Sequence, residues 1–114
     1  MKESELLSFA INCLKQSGLV YWRVANGPVI HSIGTKQIRK KSPIKGFPDL
    51  AGVLPSGKFF AIELKTDKGR LSSEQIEWIT KLNMSGAIAV VLRTKEEIKE
   101  FVASAAKMKG PPRD

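Results

Sequence analysis

The sequence predicts an α/β fold in which a mixed β-sheet is flanked by helices, in the order α-β-β-β-α-β with a further helix after the last strand. Apolar residues recur at helical spacing near both ends of the chain, a short turn separates two strand-like runs in its middle, and a continuous apolar run follows the second predicted helix. With 114 residues, the chain is long enough for one domain and too short for two.

The N-terminal part of the chain is predicted to contain one helix, one strand and a long loop. Leu6, Ala10 and Leu14 mark the apolar face of a helix over residues 4–16. Residues 19–24 (LVYWRV) are rich in β-branched and aromatic side chains, which predicts a strand. Residues 26–48 combine glycines, prolines and basic residues without steady periodicity, so we expect a long basic loop there.

The middle of the chain predicts a hairpin followed by a helix. Residues 49–54 and 58–64 are strand-like, and the turn-forming residues 55–57 (PSG) between them indicate antiparallel neighbours. Ser72 is an expected N-cap, and Gln75 stands three residues later, where a capping box places its second member.

The C-terminal part of the chain completes the predicted domain. The second helix is expected to bury Ile76, Ile79 and Leu82 and to end near Gly86. The remaining segments are a buried strand at 87–92, an amphipathic helix at 95–105 and a flexible tail at 107–114, so that the single domain spans residues 1–106.

The charge of the chain indicates a polyanionic partner. Nineteen Lys and Arg residues against eleven Asp and Glu residues give a net charge of +8. The predicted loop carries a basic segment without any acid, and Arg23 ends the first predicted strand. We therefore expect DNA phosphates to be contacted by Arg23, Lys36, Arg39, Lys40, Lys41 and Lys45.

Several other classes of protein and site are disfavoured by the sequence. The chain has no apolar run of the roughly 20 residues that a membrane helix needs and no signal-like stretch at its N-terminus, so we expect a cytoplasmic protein with no membrane partner. His31 is the single histidine, which leaves it without a partner for catalysis or metal binding. Cys13 lies on the apolar face of the first helix and is expected to be a buried small hydrophobe.

Two carboxylates and an amine are expected to meet at one edge of the sheet. Glu63 and Lys65 project to the same face of their strand, because residues two apart in a strand share a face. Asp49 opens the neighbouring strand, and the short turn brings it alongside Glu63. Oxygen ligands of this kind suit Mg²⁺, which would polarise a phosphate, while Lys65 would orient or help deprotonate water or offset charge on the phosphate.

These residues resemble a known family of nucleases. Pro48-Asp49 followed by Glu63-x-Lys65 looks like the motif of the PD-(D/E)xK nuclease superfamily, and the wider sequence resembles its VRR-NUC (virus-type replication and repair nuclease) branch. The features that carry the wider resemblance are Val20-Tyr21-Trp22-Arg23, Lys45-Gly46-Phe47, Gly69-Arg70-Leu71-Ser72 and Gln75. The resemblance implies a restriction-endonuclease-like core. It also implies a hydrolase that acts as a homodimer, namely an endonuclease that uses Mg²⁺ or Mn²⁺ to cleave branched DNA such as Holliday junctions.

The same resemblance implies roles for individual residues. Asp49 and Glu63 would ligate the metal, and Lys65 would be the catalytic lysine. Glu5 matches the helix-borne acid that completes the metal site, with Glu3 as the alternative. Gln75 would hydrogen-bond the lysine or the attacking water, and its role as capping-box partner of Ser72 is an equally good interpretation. The minimal single-domain form is typical of a phage or prophage protein, which would act in the cytoplasm of a bacterial host.

Two other hypotheses stay open from the sequence. The chain could be a non-catalytic DNA-binding module on a nuclease-like fold, although such a module would be expected to lack an acidic ligand or the lysine. It could also be a basic interaction protein that carries the motif by coincidence, which leaves the joint occurrence of Asp49, Glu63, Lys65 and Gln75 unexplained.

Overall fold

Two β-sheets of unequal size and three helices make up the part of the chain that the structure, a computed structural model, describes: residues 1–25 and 27–108. The helices are α1 (Glu3–Ser17), α2 (Ser73–Met84) and α3 (Lys95–Lys107). The strands are β1 (Val20–Arg23), β2 (Val29–Ile33), β3 (Lys36–Lys40), β4 (Leu50–Val53), β5 (Phe59–Leu64) and β6 (Ile88–Leu92).

The larger sheet has the strand order β1-β4-β5-β6. β4 pairs with β1 and with β5 in antiparallel fashion, whereas β5 and β6 are parallel. A parallel pair needs a crossover connection, and α2 provides it between β5 and β6. The α/β fold with a mixed sheet flanked by helices is therefore confirmed.

The hydrophobic core lies between this sheet and the helices α1 and α3. Its largest fully buried apolar side chains include Leu6 and Leu14 of α1, Phe60 and Ile62 of β5, and Ile98 of α3. Burial of this apolar surface is the main favourable contribution to folding. The core fixes α1 against the sheet, and so determines which residues of its first turn reach the sheet edge.

Helix α2 begins as predicted but buries less of its surface than expected. Ser72 accepts a hydrogen bond from the Gln75 backbone N–H, and the Gln75 side chain accepts one from the Ser72 N–H, so the capping box is confirmed. The predicted burial of Ile76 is wrong, because its side chain is 52% exposed. Ile79 and Leu82 are half-buried. The reason is the position of α2 against β6, an edge strand, rather than over the core.

The predicted loop over residues 26–48 contains regular structure, which corrects the expected element order. Strands β2 and β3 pair as an antiparallel hairpin and form a second sheet of their own. Two short strand-like runs lie on either side of a turn at Gly34 and Thr35. They were not predicted because basic residues interrupt the apolar pattern that is typical of strands. Residues 26 and 109–114 lie outside the described part of the chain. Most of the predicted tail over residues 107–114 is therefore outside it as well. Lys107, the first residue of that predicted tail, is the last residue of α3.

Within the described residues, no helix is both long enough and apolar enough to cross a membrane.

Candidate functional site

Asp49 and Glu63 stand side by side at one edge of the larger sheet. The pairing of Leu50 with Ile62 places Asp49, the residue before β4, opposite Glu63 of β5. Asp49 is fixed from both sides, because its Oδ2 accepts a hydrogen bond of 2.8 Å from the Leu64 N–H and its backbone oxygen accepts one of 2.9 Å from the Val24 N–H. The short turn before β5 therefore produces the predicted meeting of two carboxylates.

A third carboxylate reaches this edge from the first turn of α1. Glu3, Asp49 and Glu63 each offer an oxygen atom, and these atoms all lie within 4.8 Å of one another. Glu5, the predicted helix-borne ligand, lies outside this group, whereas Glu3, the alternative, belongs to it. Two residues two positions apart in a helix are separated by about 200° around its axis, so Glu3 and Glu5 cannot both face the sheet edge.

Glu63 is the most deeply buried member of this acidic group. Its side chain is only 1% exposed, and its Oε1 has no hydrogen-bond partner among the described residues. Burial, followed by the charge of Asp49, raises the pKa of Glu63 from 4.5 to about 9, and Lys65 opposes this rise. An unpartnered buried carboxylate oxygen is costly unless a cation or proton neutralises it. The three hard oxygen ligands that Glu3, Asp49 and Glu63 offer together fit a divalent metal ion such as Mg²⁺ or Mn²⁺.

A comparison with protein families accords with this geometry. The model of the VRR-NUC domain family matches residues 2–96, which is most of the chain. The chain belongs to the VRR-NUC family. Neither the comparison with curated proteins nor the comparison with solved structures gave a match. As a VRR-NUC domain, the chain is a nuclease-type domain that acts on DNA.

Lys65 of this VRR-NUC domain follows β5 directly and is half-buried. Its backbone N–H donates a hydrogen bond of 3.2 Å to the Leu92 oxygen of β6. Its side chain passes close to Gly69, where an added Cβ would come within 3.3 Å of the Lys65 Cδ. The turn at Thr66–Gly69 therefore packs against the lysine side chain.

Arg93 holds that turn in place. Its Nη1 donates hydrogen bonds of 2.7 Å to the carbonyl oxygens of both Thr66 and Gly69. Sequence reasoning did not identify Arg93. The signal that could have identified it is its position directly after β6. Lys65 and Arg93 follow Leu64 and Leu92, which are paired residues in neighbouring parallel strands, so the two side chains leave the sheet at the same edge.

Gln75 connects the start of α2 to the acidic group. Its side-chain Oε1 accepts the capping-box hydrogen bond from the Ser72 N–H. Its side-chain Nε2 donates a hydrogen bond of 3.5 Å to the Glu63 Oε2. The capping interpretation is confirmed, and the amide group also faces a predicted metal ligand. Its contact with the lysine or with the attacking water stays a prediction.

The predicted DNA-contacting residues fall into two places. Arg23 lines a cavity of about 280 Å³ together with Glu3, Ser4 and Asp49, so it lies at the acidic group. Lys36, Arg39 and Lys40 lie on the β2–β3 hairpin, and Lys41 and Lys45 follow it in the chain. The Lys45 Nζ lies 3.7 Å from a carboxylate oxygen of Glu74 on α2.

Proposed function

We propose that this protein is a divalent-metal-dependent DNA endonuclease that hydrolyses phosphodiester bonds. The observation that carries the proposal is the convergence of the Glu3, Asp49 and Glu63 carboxylates, together with a buried Glu63 Oε1 that has no hydrogen-bond partner among the described residues. Membership of the VRR-NUC family supports the same activity. In this proposal, the three carboxylates hold a Mg²⁺ or Mn²⁺ ion, and Lys65 and Arg23 face the phosphodiester.

Each residue has a distinct task in this reaction. When bound, the metal ion supplies Lewis acidity toward the scissile phosphodiester and toward water. Lys65 orients the attacking water or offsets the charge that develops on the phosphate. Arg23 lines the same cavity as Asp49 and offers a planar, always charged donor group that suits a phosphate. Gln75 restrains Glu63 through its amide.

The preferred DNA is proposed to be branched, as in a Holliday junction, and the active form a homodimer. A domain this small contacts only a limited stretch of DNA, so a two-fold dimer would present two active sites to two strands. Support for a second copy comes from β1, an edge strand of the larger sheet whose Val20 and Trp22 side chains are 62% and 44% exposed. Exposed apolar residues on an edge strand favour association.

The experiment that tests the activity compares cleavage of labelled four-way junction, flap and linear duplex DNA in Mg²⁺ or Mn²⁺. Wild-type protein is expected to cut, and Lys65→Ala and Glu63→Ala are expected to lose cutting while still binding DNA. Lys58→Ala is the matched control, because Lys58 is an exposed lysine at the opposite end of the β5 segment. Salt-sensitive binding without cutting in either metal would overturn the enzyme proposal and leave a DNA-binding module.

A further inference from the structure

The β2–β3 hairpin, residues 29–40, forms an arm that stands apart from the rest of the domain. In the described part of the chain it pairs with no strand of the larger sheet, and every residue from Ile30 to Lys40 is exposed. The radius of gyration is 16.0 Å, against about 13 Å for a compact domain of this length. The longest dimension of the molecule is 57 Å. The arm therefore projects from the core.

The segment that carries the arm leaves and rejoins the larger sheet beside the acidic group. The chain enters it after Val24 and returns to Asp49, and the Val24 N–H donates a hydrogen bond of 2.9 Å to the Asp49 oxygen. Val24, Ala25 and Gly27 line a cavity together with Arg23 and Asp49. A DNA strand held at the acidic group is consequently within reach of the arm.

The two faces of the arm combine basic and apolar side chains. The register pairs His31 with Ile38 and Ile33 with Lys36, and alternation adds Lys40 to this face. The opposite face carries Ile30 and Arg39, which are also paired. The sequence from Val24 to Pro48 contains no acidic residue. The arm is therefore complementary in charge to a polyanion along its whole length.

A basic cavity lies at the base of the arm. It has a volume of about 390 Å³ and is lined by Pro28, Arg39, Lys41, Ser42 and Lys45. Three cationic side chains and a hydroxyl group around one concave surface suit a phosphate group, since charge-assisted hydrogen bonds to phosphate oxygens are among the strongest in proteins.

The dimensions of the arm match a DNA groove. Two strands lie about 4.8 Å apart, and five residues extend about 17 Å, which is the rise of about five base pairs. A major groove about 12 Å wide admits a two-stranded ribbon, and apolar side chains can contact thymine methyl groups there. We propose that the arm enters the major groove of duplex DNA flanking the scissile phosphate, while the cavity at its base binds a backbone phosphate.

This inference rests on the proposed DNA-cleaving function and adds a requirement to it. The substrate must carry about half a turn of intact duplex beside the cut, whether the DNA is branched or linear. Single-stranded DNA offers phosphates but no major groove. Affinity for duplex over single strand of equal length is therefore expected to depend on the arm.

The test compares Lys36→Gln/Lys40→Gln with Lys95→Gln/Lys99→Gln, a control that removes the same charge from α3. Affinity for a 20-base-pair duplex is measured by fluorescence anisotropy in EDTA at several NaCl concentrations. The arm variant is expected to bind about tenfold or more weakly near 0.1 M salt and to lose about 1.8 from the salt slope, since each phosphate contact contributes about 0.9. The proposal would be overturned if both variants lost the same amount of duplex affinity, or if neither variant lost any.

Two further measurements distinguish binding of the arm in the major groove from other contacts of the arm. Wild-type protein should protect guanine N7 in the flanking duplex from dimethyl sulfate, and the arm variant should not, because N7 lies in the major groove. Arm-dependent binding without N7 protection would overturn the groove assignment. Sedimentation would reveal a contact between two copies instead, if the arm variant lost dimers but kept its affinity for duplex.

Failure of this inference is distinguishable from failure of the proposed function. None of these measurements requires cleavage, so an inactive protein would still give a result. The arm variant should also keep the Mn²⁺-induced increase in melting temperature of the wild type, because the arm contains no residue of the acidic group. Loss of that increase would overturn the separation of the arm from the metal site.

Discussion

Arg93 and Gly69 are joined by a hydrogen bond of 2.7 Å from the guanidinium Nη1 to the carbonyl oxygen, and the same nitrogen also donates to Thr66. Neither residue belongs to the acidic group. Their contact nonetheless determines where the turn under the Lys65 side chain lies. Arg93 is therefore a positioning residue for the lysine.

Arg93→Ala is expected to reduce kcat by about 100-fold, since small displacements of a catalytic group have effects of that size. The Gly69 oxygen would lose this partner, at a cost of about 1–3 kcal/mol where it stays buried, whereas the Thr66 oxygen would keep its hydrogen bond from the Gly69 N–H. Arg93→Lys should restore part of the activity, because an ammonium can also donate to both oxygens. Steady-state kinetics and duplex affinity check this, and a loss of affinity without a loss of kcat would contradict it.

Glu63→Gln is expected to stabilise the metal-free protein at pH 8. Because the pKa of Glu63 is raised from 4.5 to about 9 by folding, the folded state binds the proton more tightly than the unfolded state. The contribution of Glu63 to the stability of the wild type is therefore fully present below pH 4.5 and is lost as pH rises toward 9, by up to about 1.4 kcal/mol per pH unit. Urea unfolding in EDTA measures this. Glu100→Gln, on an exposed residue of α3, is the control. A variant less stable than wild type at pH 8 would contradict it.

The meeting of Asp49 and Glu63 was predictable because alternation along β5 and a short turn determine it locally. The presence of Glu3, and not Glu5, in the acidic group was not predictable, because it depends on how α1 is rotated about its axis when its apolar face packs on the sheet. The role of Arg93 depends on a parallel pairing between distant segments. Sequence periodicity reports neither kind of information.

Glu3→Gln is expected to weaken Mn²⁺ binding about tenfold or more, whereas Glu5→Gln should leave it unchanged. Only Glu3 contributes an oxygen to the group with Asp49 and Glu63, and loss of a charged ligand weakens binding of a hard cation. Isothermal titration calorimetry at pH 7 and pH 8 measures the affinity. Wild-type affinity should rise with pH, because a ligand carboxyl must lose its proton to bind metal. A larger effect of Glu5→Gln than of Glu3→Gln would reverse the assignment.

Gly46→Ala is expected to disturb the start of α2 and, through Gln75, the acidic group. Gly46 has a φ of +86°, and an added Cβ would lie 2.6 Å from the Glu74 Cβ and 2.9 Å from the Gln75 N. Gly57 has a φ of +90° with open space around it, so Gly57→Ala carries the backbone strain alone, about 1–2 kcal/mol. Gly46→Ala should lose a further 1–3 kcal/mol or so from overpacking. Urea unfolding and Mn²⁺ titration of both variants test this, and equal losses of stability would show that the close approach of Gly46 to α2 has no energetic consequence.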